Sequence, residues 1–403
     1  MKTKAVYIIL WILLIATVLI VGNNSYQNEE IDEEIVQESE EITITENEED
    51  EYMQGLWVSY IDLTTSEKTM EAFEANFTQI VQSAKEVGTT ALFVHVRPFS
   101  DALYESDYYP WSHILTGTQG QDPGYDPLEF MIELCHSQGI EFHAWINPMR
   151  VALETIPSEL SVDSVYNTWI DEHPYYFIET DSGIYLNPAY TEVRELIANG
   201  VAEIVENYDV DGIHFDDYFY PEDISEEDSL AYEAYVEITE NPLGLSDWRK
   251  ANVNVMVSLV YRTIKNIDET VSFGISPQAS LSNNEELCAD VMLWCSVSGY
   301  LDYICPQIYF SYENEALAFL ESLETWTNLQ KHENLEIYIG LALYKAGTDS
   351  DGGTWLERDD IIVSQIADSI NYGCDGYILY DSSSLTSELA KSEVENIISS
   401  EYS

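Results

Sequence analysis

The sequence predicts an α/β protein, a (β/α)₈ TIM barrel with long loops at the carboxyl ends of its strands. Short apolar segments alternate about eight times with segments of helical spacing, and such alternation implies a parallel sheet. About 350 residues follow the N-terminal region, which is enough for one barrel with insertions. An open doubly wound sheet is the alternative, but no glycine-rich phosphate loop follows an early strand.

The predicted strands are apolar runs of strand length, and the predicted helices carry apolar residues at three- and four-residue spacing. The strand segments are Leu56–Tyr60, Ala91–Pro98, Glu141–Pro148, the start of Asp211–Pro221, Ser272–Gln278, Asp302–Phe310, Glu336–Tyr344 and Gly376–Asp381. The helical segments are Met70–Val87, Pro127–Gln138, Thr191–Asn207, Asp247–Ile267, Glu313–Leu329, Arg358–Tyr372 and Ser387–Ser399. Several helices stop at a glycine, the usual residue just beyond a helix C-terminus.

The segment Asp211–Pro221 is the most informative, because an apolar strand core ends there in two carboxylates and aromatic rings. Side chains alternate between the faces of a strand. Ile213 and Phe215 would therefore face the helices, while His214 and Asp216 would face the lumen. A buried strand that meets an acidic loop is the alternative interpretation of this segment taken alone, but the same pattern recurs along the chain.

The same alternation places polar residues in the lumen near the ends of other strands. The inner positions are Phe93, His95 and Arg97; His143, Trp145 and Asn147; Gly274, Ser276 and Gln278; and Tyr303, Cys305, Gln307 and Tyr309. Barrel enzymes build their active sites at the carboxyl ends of the strands. The convergence therefore predicts a single site at that end.

Three regions are expected along the chain. Residues 1–25 read as a signal peptide or signal anchor, since Lys2 and Lys4 precede the uncharged run Ala5–Val21. No small-x-small cleavage site follows, so an uncleaved anchor on the outer face of the cytoplasmic membrane is favoured. Residues 26–52 form an acidic linker that we expect to be disordered, because it has little apolar surface to bury. Residues 53–403 form the barrel.

The chain is strongly acidic, with 74 Asp and Glu against 15 Lys and Arg and a formal charge of −59. Nucleic acid and anionic lipid surfaces are therefore improbable partners, and the membrane is expected to be met only through the N-terminal segment. A solvated surface adapted to an exposed environment explains the charge most simply. An alternative is that the charge keeps the protein from adsorbing to anionic wall polymers. The five cysteines lie in predicted strands or helices and read as small buried hydrophobes.

The loops after the second and third strands are long and aromatic. Ser100–Asp126 and Met149–Tyr190 hold many of the 29 Tyr and 9 Trp residues of the chain. Loops of this length are uncommon unless they are functional. Aromatic rings that stack on sugar faces would make a saccharide groove, although tyrosine-rich loops also pack on themselves.

Several motifs together resemble the glycosyl-hydrolase-like family 10. They are Gln54–Ser59, Phe93–Pro98, Tyr109–Ser112 with Leu115–Gly117, Asp122–Leu128, His143–Pro148 with Arg150, Leu186–Pro188 and Asp211–Pro221. The resemblance spans nearly all of residues 54–385. It implies a (β/α)₈ barrel that acts on glycans outside the cytoplasm, with peptidoglycan strands stripped of their peptides as the substrate associated with some members. The fourth strand also distantly resembles that of chitinase-type barrels, but Tyr218 stands where their terminal Glu would be, so that acid cannot be carried over.

Glycoside hydrolysis usually needs one carboxylate and one protonated carboxyl group. Asp216 is the best inward-facing candidate, and Asp217 is the natural second because close carboxylates raise each other's pKa. Adjacent residues rarely straddle one bond, so Asp381, Asp62 or Glu222 could supply the partner. If the substrate carries N-acetyl groups, its own amide could be the nucleophile.

The predicted substrate-binding residues are polar or aromatic positions of the lumen and its rim, with the reservation that a lumen histidine is often a hydrogen-bonded core residue. They are His95, Arg97, His143, Trp145, Asn147, Arg150, His214, Tyr218, Gln278, Gln307 and Tyr309.

Two function classes follow from these expectations. The first is a glycoside hydrolase of cell-wall or extracellular polysaccharide glycan, and the second is a non-catalytic glycan-binding barrel anchored at the cell surface. A deacetylase would need metal ligands, and the sequence offers no convincing Asp/His/His set. We therefore expect neither a metal nor a cofactor.

Overall fold

Eight parallel strands close into a barrel in the computed structural model, which describes residues 52–400. Around the barrel the strands follow the order β1-β2-β3-β7-β8-β9-β10-β11, and β11 pairs with β1. A separate antiparallel sheet has the order β4-β6-β5. The strands are β1 Met53–Val58, β2 Ala91–Arg97, β3 Glu141–Ile146, β4 Arg150–Leu153, β5 Phe177–Thr180, β6 Gly183–Leu186, β7 Gly212–Phe215, β8 Ser272–Ile275, β9 Tyr303–Ile304, β10 Glu336–Leu341 and β11 Gly376–Leu379.

Helices occupy most of the connections between the strands, as the alternating pattern predicts. The α-helices are Tyr60–Leu63, Met70–Glu86, His113–Thr116, Pro127–Ser137, Val165–Trp169, Thr191–Asn207, Ser229–Ile238, Leu245–Ile267, Leu281–Glu286, Val291–Ser296, Phe319–Thr327, Ile361–Asn371 and Lys391–Ser399. Short 3₁₀ helices cover Pro174–Tyr176, Leu343–Lys345, Ser350–Leu356 and Ser382–Thr386.

The helix Met70–Glu86 illustrates how the sequence determines these elements. Phe73, Phe77 and Val81 recur every four residues and are all buried, so one stripe of the helix packs on the barrel. The Thr69 side chain accepts a hydrogen bond from the Ala72 amide at 3.2 Å and caps the N-terminus. The chain leaves the helix through Gly88 with φ of +76°, a conformation that favours glycine.

The buried side chains separate into two cores. The larger core fills the space between the strands and the helices. The smaller one lies inside the barrel and consists of Trp57, Ala91, Phe93, Trp145, Tyr303, Cys305, Tyr338 and Ile378. Gly274 makes room for the Tyr303 ring, because a Cβ at that position would collide with it. The aromatic inner core plugs the barrel, so a ligand can enter only from an end.

The register of the strands determines which polar residues meet. β3 and β7 pair Trp145 with His214 and Ile146 with Phe215. Asn147 and Asp216 each follow one residue later, and they therefore emerge side by side at the carboxyl ends of their strands.

The barrel prediction is confirmed, with strands shorter than the sequence suggests. β9 is the extreme case, with two paired residues instead of the predicted Asp302–Phe310. The antiparallel sheet inside Met149–Tyr190 was not predicted. All five cysteines are buried and unpaired, as expected.

The predicted membrane segment, residues 1–25, and nearly all of the predicted linker lie outside the described residues. Between residues 52 and 400, no helix is both long and apolar enough to cross a bilayer.

The last two helices are joined by a buried carboxylate. Glu393 accepts hydrogen bonds from the backbone amides of Ile361 at 2.6 Å and Ile362 at 3.1 Å, at the start of the helix Ile361–Asn371. Asp360, the residue before this helix, makes no capping hydrogen bond through its side chain. Glu393 therefore caps a helix distant in sequence, and this contact secures the end of the chain to the barrel.

We expect Glu393→Ala to lower the free energy of unfolding by about 2 kcal/mol, because two buried amides lose their acceptor. Chemical denaturation monitored by circular dichroism measures this change. Glu395→Ala is the matched control, since Glu395 is exposed on the same helix and should change stability little. Equal effects of the two substitutions would contradict the capping role.

Candidate active site

A pocket of about 340 Å³ opens at the carboxyl ends of the barrel strands. Many of the predicted site residues line it: His95, Trp145, Arg150, Asp216, Asp217, Tyr218, Gln307 and Tyr309. Trp57, Ser59, Tyr60, Leu153, Ser276 and Tyr380 also line it but were not predicted as site residues. The convergence predicted from strand alternation is thus present in the structure.

Asp216 lies on the floor of the pocket and is only 3% exposed. Its Oδ2 accepts hydrogen bonds from the Asn147 amide and from the Trp145 indole at 3.3 Å. Its Oδ1 accepts one from the Tyr218 backbone amide at 3.2 Å. Both carboxylate oxygens are therefore held by donors that cannot move far, and the position of the group is fixed.

Asn147 can present its amide to Asp216 in only one orientation. The Asn147 carbonyl oxygen accepts hydrogen bonds from His95 Nε2 at 2.7 Å and from Arg150 Nη2. With its oxygen engaged by two donors, the amide must direct its N–H bonds toward Asp216. This arrangement also requires the proton of His95 to be on Nε2.

His95 is neutral in this environment. Burial lowers its pKa well below the usual value, and the positive charge of Arg150 lowers it further. Its ring stacks on the Trp145 indole with 3.8 Å between ring centroids and 8° between planes. The packed ring fixes the direction of the hydrogen bond to Asn147.

Asp217 is held from the opposite side of the pocket. Gln307 Nε2 donates to its Oδ1 at 3.1 Å and also to the Ser276 carbonyl oxygen at 2.8 Å. Asp216 is thus tethered to β3, whereas Asp217 is tethered to the residues that follow β8 and β9.

The two carboxyl groups have raised pKa values. Burial and then the charge of Asp217 raise the pKa of Asp216 to about 7, against an opposing effect of Arg150. Burial also raises the pKa of Asp217, although hydrogen bonds from Gln278 and Gln307 oppose it. Near neutral pH the pair can hold a proton that an isolated carboxyl group would have lost.

Arg150 is the only Lys or Arg among the residues that line the described pocket. Its Nε donates to the Pro98 carbonyl oxygen at 2.8 Å, which ties β4 to the end of β2. Its guanidinium lies 4.9 Å from the centroid of the Phe99 ring and 5.1 Å from that of the Tyr218 ring. The cation is thus fixed by the protein before any ligand arrives.

His214 faces the lumen as predicted but lies below the pocket. Its Nε2 accepts from the Trp57 indole at 3.2 Å and lies 2.9 Å from the Ser276 hydroxyl, and its Nδ1 is 3.0 Å from the Tyr303 hydroxyl. Burial lowers its pKa well below the usual value. His214 therefore belongs to the hydrogen-bonded floor of the site and does not line the pocket, and its role in substrate binding stays a prediction.

Arg97 and His143 also lie away from the pocket. The β2–β3 register shifts between His95 and Arg97. This irregularity directs Arg97 away from the lumen, and its guanidinium lies 4.4 Å from the centroid of the Tyr109 ring. His143 does face the lumen, but it is paired with Glu141 at the opposite end of β3, at 3.3 Å.

Asp381 and Asp62 cap helices and do not line the pocket. Asp381 Oδ1 accepts from the Ser384 hydroxyl at 2.7 Å and from the Ser383 hydroxyl at 2.8 Å. Asp62 accepts from the Ser59 amide at 3.0 Å in a capping box. Asp381 therefore lies outside the lining of the first pocket with its carboxylate engaged in a turn, and its catalytic role stays a prediction.

A second pocket of about 390 Å³ adjoins the first and shares Leu153, Asp217 and Tyr218 with it. Ser182 and Tyr185 of the antiparallel sheet line it, as do Glu222, Asp223 and the predicted residue Gln278. The two pockets meet at Asp217, whereas Asp216 lines only the first. Alternation along Arg150–Leu153 could have indicated this wall, but a four-residue strand gives a weak signal.

Comparison with known proteins agrees with this architecture. The Bordetella bronchiseptica PgaB (BpsB) glycoside hydrolase domain superposes with a TM-score of 0.56 at 11% identity, over 85% of this chain and 98% of that one. The Rhizomucor miehei endo-1,4-beta-mannanase superposes with a TM-score of 0.53 at 10% identity, over 86% of this chain and 94% of that one. At these identities the likeness establishes the barrel fold alone.

The sequence matches are closer. The chain is 36% identical over 326 residues to glycosyl hydrolase YngK of Bacillus subtilis (strain 168), a match that covers 76% of this chain and 61% of that protein. It is 31% identical over 338 residues to glycosyl hydrolase DigH of Escherichia coli (strain K12), covering 74% of each. Residues 52–355 match the family described as glycosyl hydrolase-like 10. The chain belongs to the glycosyl hydrolase-like 10 family.

Proposed function

We propose that the protein is a glycoside hydrolase that cleaves a cell-wall or extracellular polysaccharide glycan, with peptide-free peptidoglycan strands among its substrates. The observation that carries the proposal is the pair Asp216 and Asp217, which is buried at the carboxyl end of the barrel and has raised pKa values. Membership of a glycosyl hydrolase-like family supports the same class of reaction.

The pair supplies what glycosidic bond cleavage needs. One carboxyl group must be protonated near neutral pH to donate to the leaving oxygen, and a second group must carry negative charge. Asp217 lies at the junction of the two pockets, where a bond between two sugar units would lie. The two carboxyl groups share a proton near neutral pH, and in the reactive form of the pair we assign that proton to Asp217, as the general acid, and the negative charge to Asp216.

Aromatic rings form the walls of the proposed sugar site. Trp57 lies edge-on to Tyr309 with 6.4 Å between ring centroids, and its centroid is 6.0 Å from that of Tyr380. Tyr218 is 50% exposed and borders both pockets. Such flat apolar faces suit the C–H face of a pyranose, while Arg150, Gln278 and Gln307 can bind hydroxyl groups.

We also propose that the protein acts outside the cytoplasm, held at the outer face of the cytoplasmic membrane by residues 1–25. Lys2, Lys4 and the uncharged run Ala5–Val21 support this location. The charge of −59 argues against nucleic acid as a further partner.

We expect Asp216→Asn to lower the rate of glycan hydrolysis by at least ~10³-fold while glycan binding is kept, because the transition state loses its charge. Asp217→Asn should be similarly severe but recover on a substrate with a good leaving group, which needs no protonation. Release of reducing ends from peptide-free wall glycan measures both.

Asp209→Asn is the control for this experiment, because the Asp209 side chain is 97% exposed and precedes the opposite end of β7. Near-wild-type turnover by Asp216→Asn would contradict the assignment. Binding without any release of reducing ends by the wild-type protein would instead indicate a non-catalytic glycan-binding barrel.

A second prediction concerns stability. Because the pKa of Asp216 is about 7 in the folded protein and 3.8 is its ordinary value, folding favours the protonated form. Its contribution to stability is full below pH 3.8 and is lost as the pH rises through 7. Asp216→Asn should therefore raise the melting temperature at pH 8 by about 2–5 °C and change it less at pH 4. Differential scanning calorimetry at pH 4 and at pH 8 measures this difference in melting temperature. Asp163→Asn is the control, because Asp163 is exposed. A difference in melting temperature that is the same at both pH values would contradict the raised pKa of Asp216.

The location has its own test. In fractionated cells the full chain should sediment with membranes, and protease added to intact spheroplasts should degrade it. A variant lacking residues 1–25 should remain in the cytosol. Recovery of the full-length chain from the cytosol would contradict the proposal.

A further inference from the structure

The first pocket offers no enzyme nucleophile on the side opposite the general acid. Among the described residues that line it, Asp216 and Asp217 are the only carboxylates, and they are consecutive in sequence. Glu222 and Asp223 line the second pocket instead. Enzymes that displace the leaving group with their own carboxylate place it across the scissile bond from the acid. Consecutive residues at one strand end rarely flank a single bond in this way.

Asp216 is also poorly arranged to attack a sugar. Its two oxygens already accept hydrogen bonds from Asn147, Trp145 and the Tyr218 amide. Donors stabilise negative charge on the oxygens that they contact and so lower their nucleophilicity. A buried carboxylate in a fixed position is better suited to accept a hydrogen bond from a substrate N–H group.

We propose that the nucleophile is the carbonyl oxygen of a 2-acetamido group on the substrate sugar, with Asp216 as the acceptor for the acetamido N–H and Asp217 as the general acid. This inference rests on the proposed glycosidase function and specifies the sugar in the first pocket as a 2-acetamido-2-deoxy hexose.

Water is the only other reactant in the proposed reaction. The acetamido oxygen bonds to the anomeric carbon as the bond to the leaving oxygen breaks, and Asp217 gives its proton to that oxygen. The resulting oxazolinium ion is stabilised through its N–H by Asp216. Water then attacks the anomeric carbon, and Asp217 takes a proton from the water. The oxazolinium ring opens and restores the acetamide. The anomeric configuration is retained, and the net change is hydrolysis.

The surroundings of Asp216 suit an acetamido group. The indoles of Trp145 and Trp57 and the ring of Tyr309 line the same pocket and give an apolar recess for the methyl group. Burial raises the pKa of Tyr309 well above its usual value, so its hydroxyl remains a donor for the acetamido carbonyl. Among the described residues that line this pocket, Arg150 is the only Lys or Arg, and it is already bound to Asn147 and Pro98.

The test uses the full-length protein and two aryl β-glycosides of the same oligosaccharide length. One carries 2-acetamido groups, and the other carries 2-hydroxyl groups. We expect the acetamido substrate to react at least ~10²-fold faster, because the intramolecular nucleophile has a large effective concentration. Replacing the terminal N-acetyl group by mono-, di- and trifluoroacetyl groups should slow the reaction stepwise, since fluorine weakens the carbonyl oxygen as a nucleophile.

Two variants test whether participation of the acetamido group depends on Asp216. Asp216→Asn should flatten the dependence of rate on fluorine number, while Asp209→Asn should keep the wild-type dependence. Proton NMR of the first-formed product should show retention of configuration. Inversion, a fluorine-independent rate, or a glycosyl–enzyme adduct on Asp216 or Asp217 after treatment with a 2-fluoro sugar would overturn the inference and leave the glycosidase function intact. Failure to cleave any glycan would overturn the glycosidase function as well.

Discussion

The orientation of the Asn147 side-chain amide is the constraint on which the site depends. Its oxygen is held by His95 and Arg150, and its nitrogen therefore faces Asp216. His95 is stacked on Trp145, and Arg150 is tied to the backbone at Pro98. The position of one carboxylate thus rests on residues from β2, β3, β4 and the loop after β2. A charge in a preorganised position needs little rearrangement during a reaction. This preorganisation is usually the largest contribution to rate enhancement at such sites.

The two cores bury this network from the side and from below. Outward-facing apolar residues pack against the helices, and the lumen is filled mainly by aromatic side chains. His214 satisfies the polar atoms that the floor does contain through Trp57, Ser276 and Tyr303. Burial and then the charge of Asp217 raise the pKa of Asp216, although the charge of Arg150 opposes this rise. Burial also raises the pKa of Asp217, against the hydrogen bonds from Gln278 and Gln307. The same burial that makes the pair useful makes it costly to the folded state.

Much of the site was predictable because strand alternation is a local geometric rule. Asp216, Asn147, Trp145 and His95 all lie where the two-residue period places them. The rule fails for Arg97, where the strand pairing shifts by one residue and the side chain changes faces. Strand alternation does not give the depth of a side chain along the barrel axis, so His143 and His214 were grouped with residues nearer the opening. Strand alternation also cannot show that the Asp381 carboxylate accepts hydrogen bonds from the hydroxyls of Ser383 and Ser384.

The sequence by itself determined the barrel, the order of its elements, the end at which the site lies and the residues most suited to its chemistry. These properties depend on periodicity and on residue type, which are local. Only the tertiary structure decided which carboxylates share a pocket, that Asn147 links Arg150 to Asp216, and that the antiparallel sheet β4-β6-β5 lines the second pocket. Those contacts join residues up to 90 positions apart, such as Gln307 and Asp217, and no local pattern encodes a distance that arises only when the barrel closes.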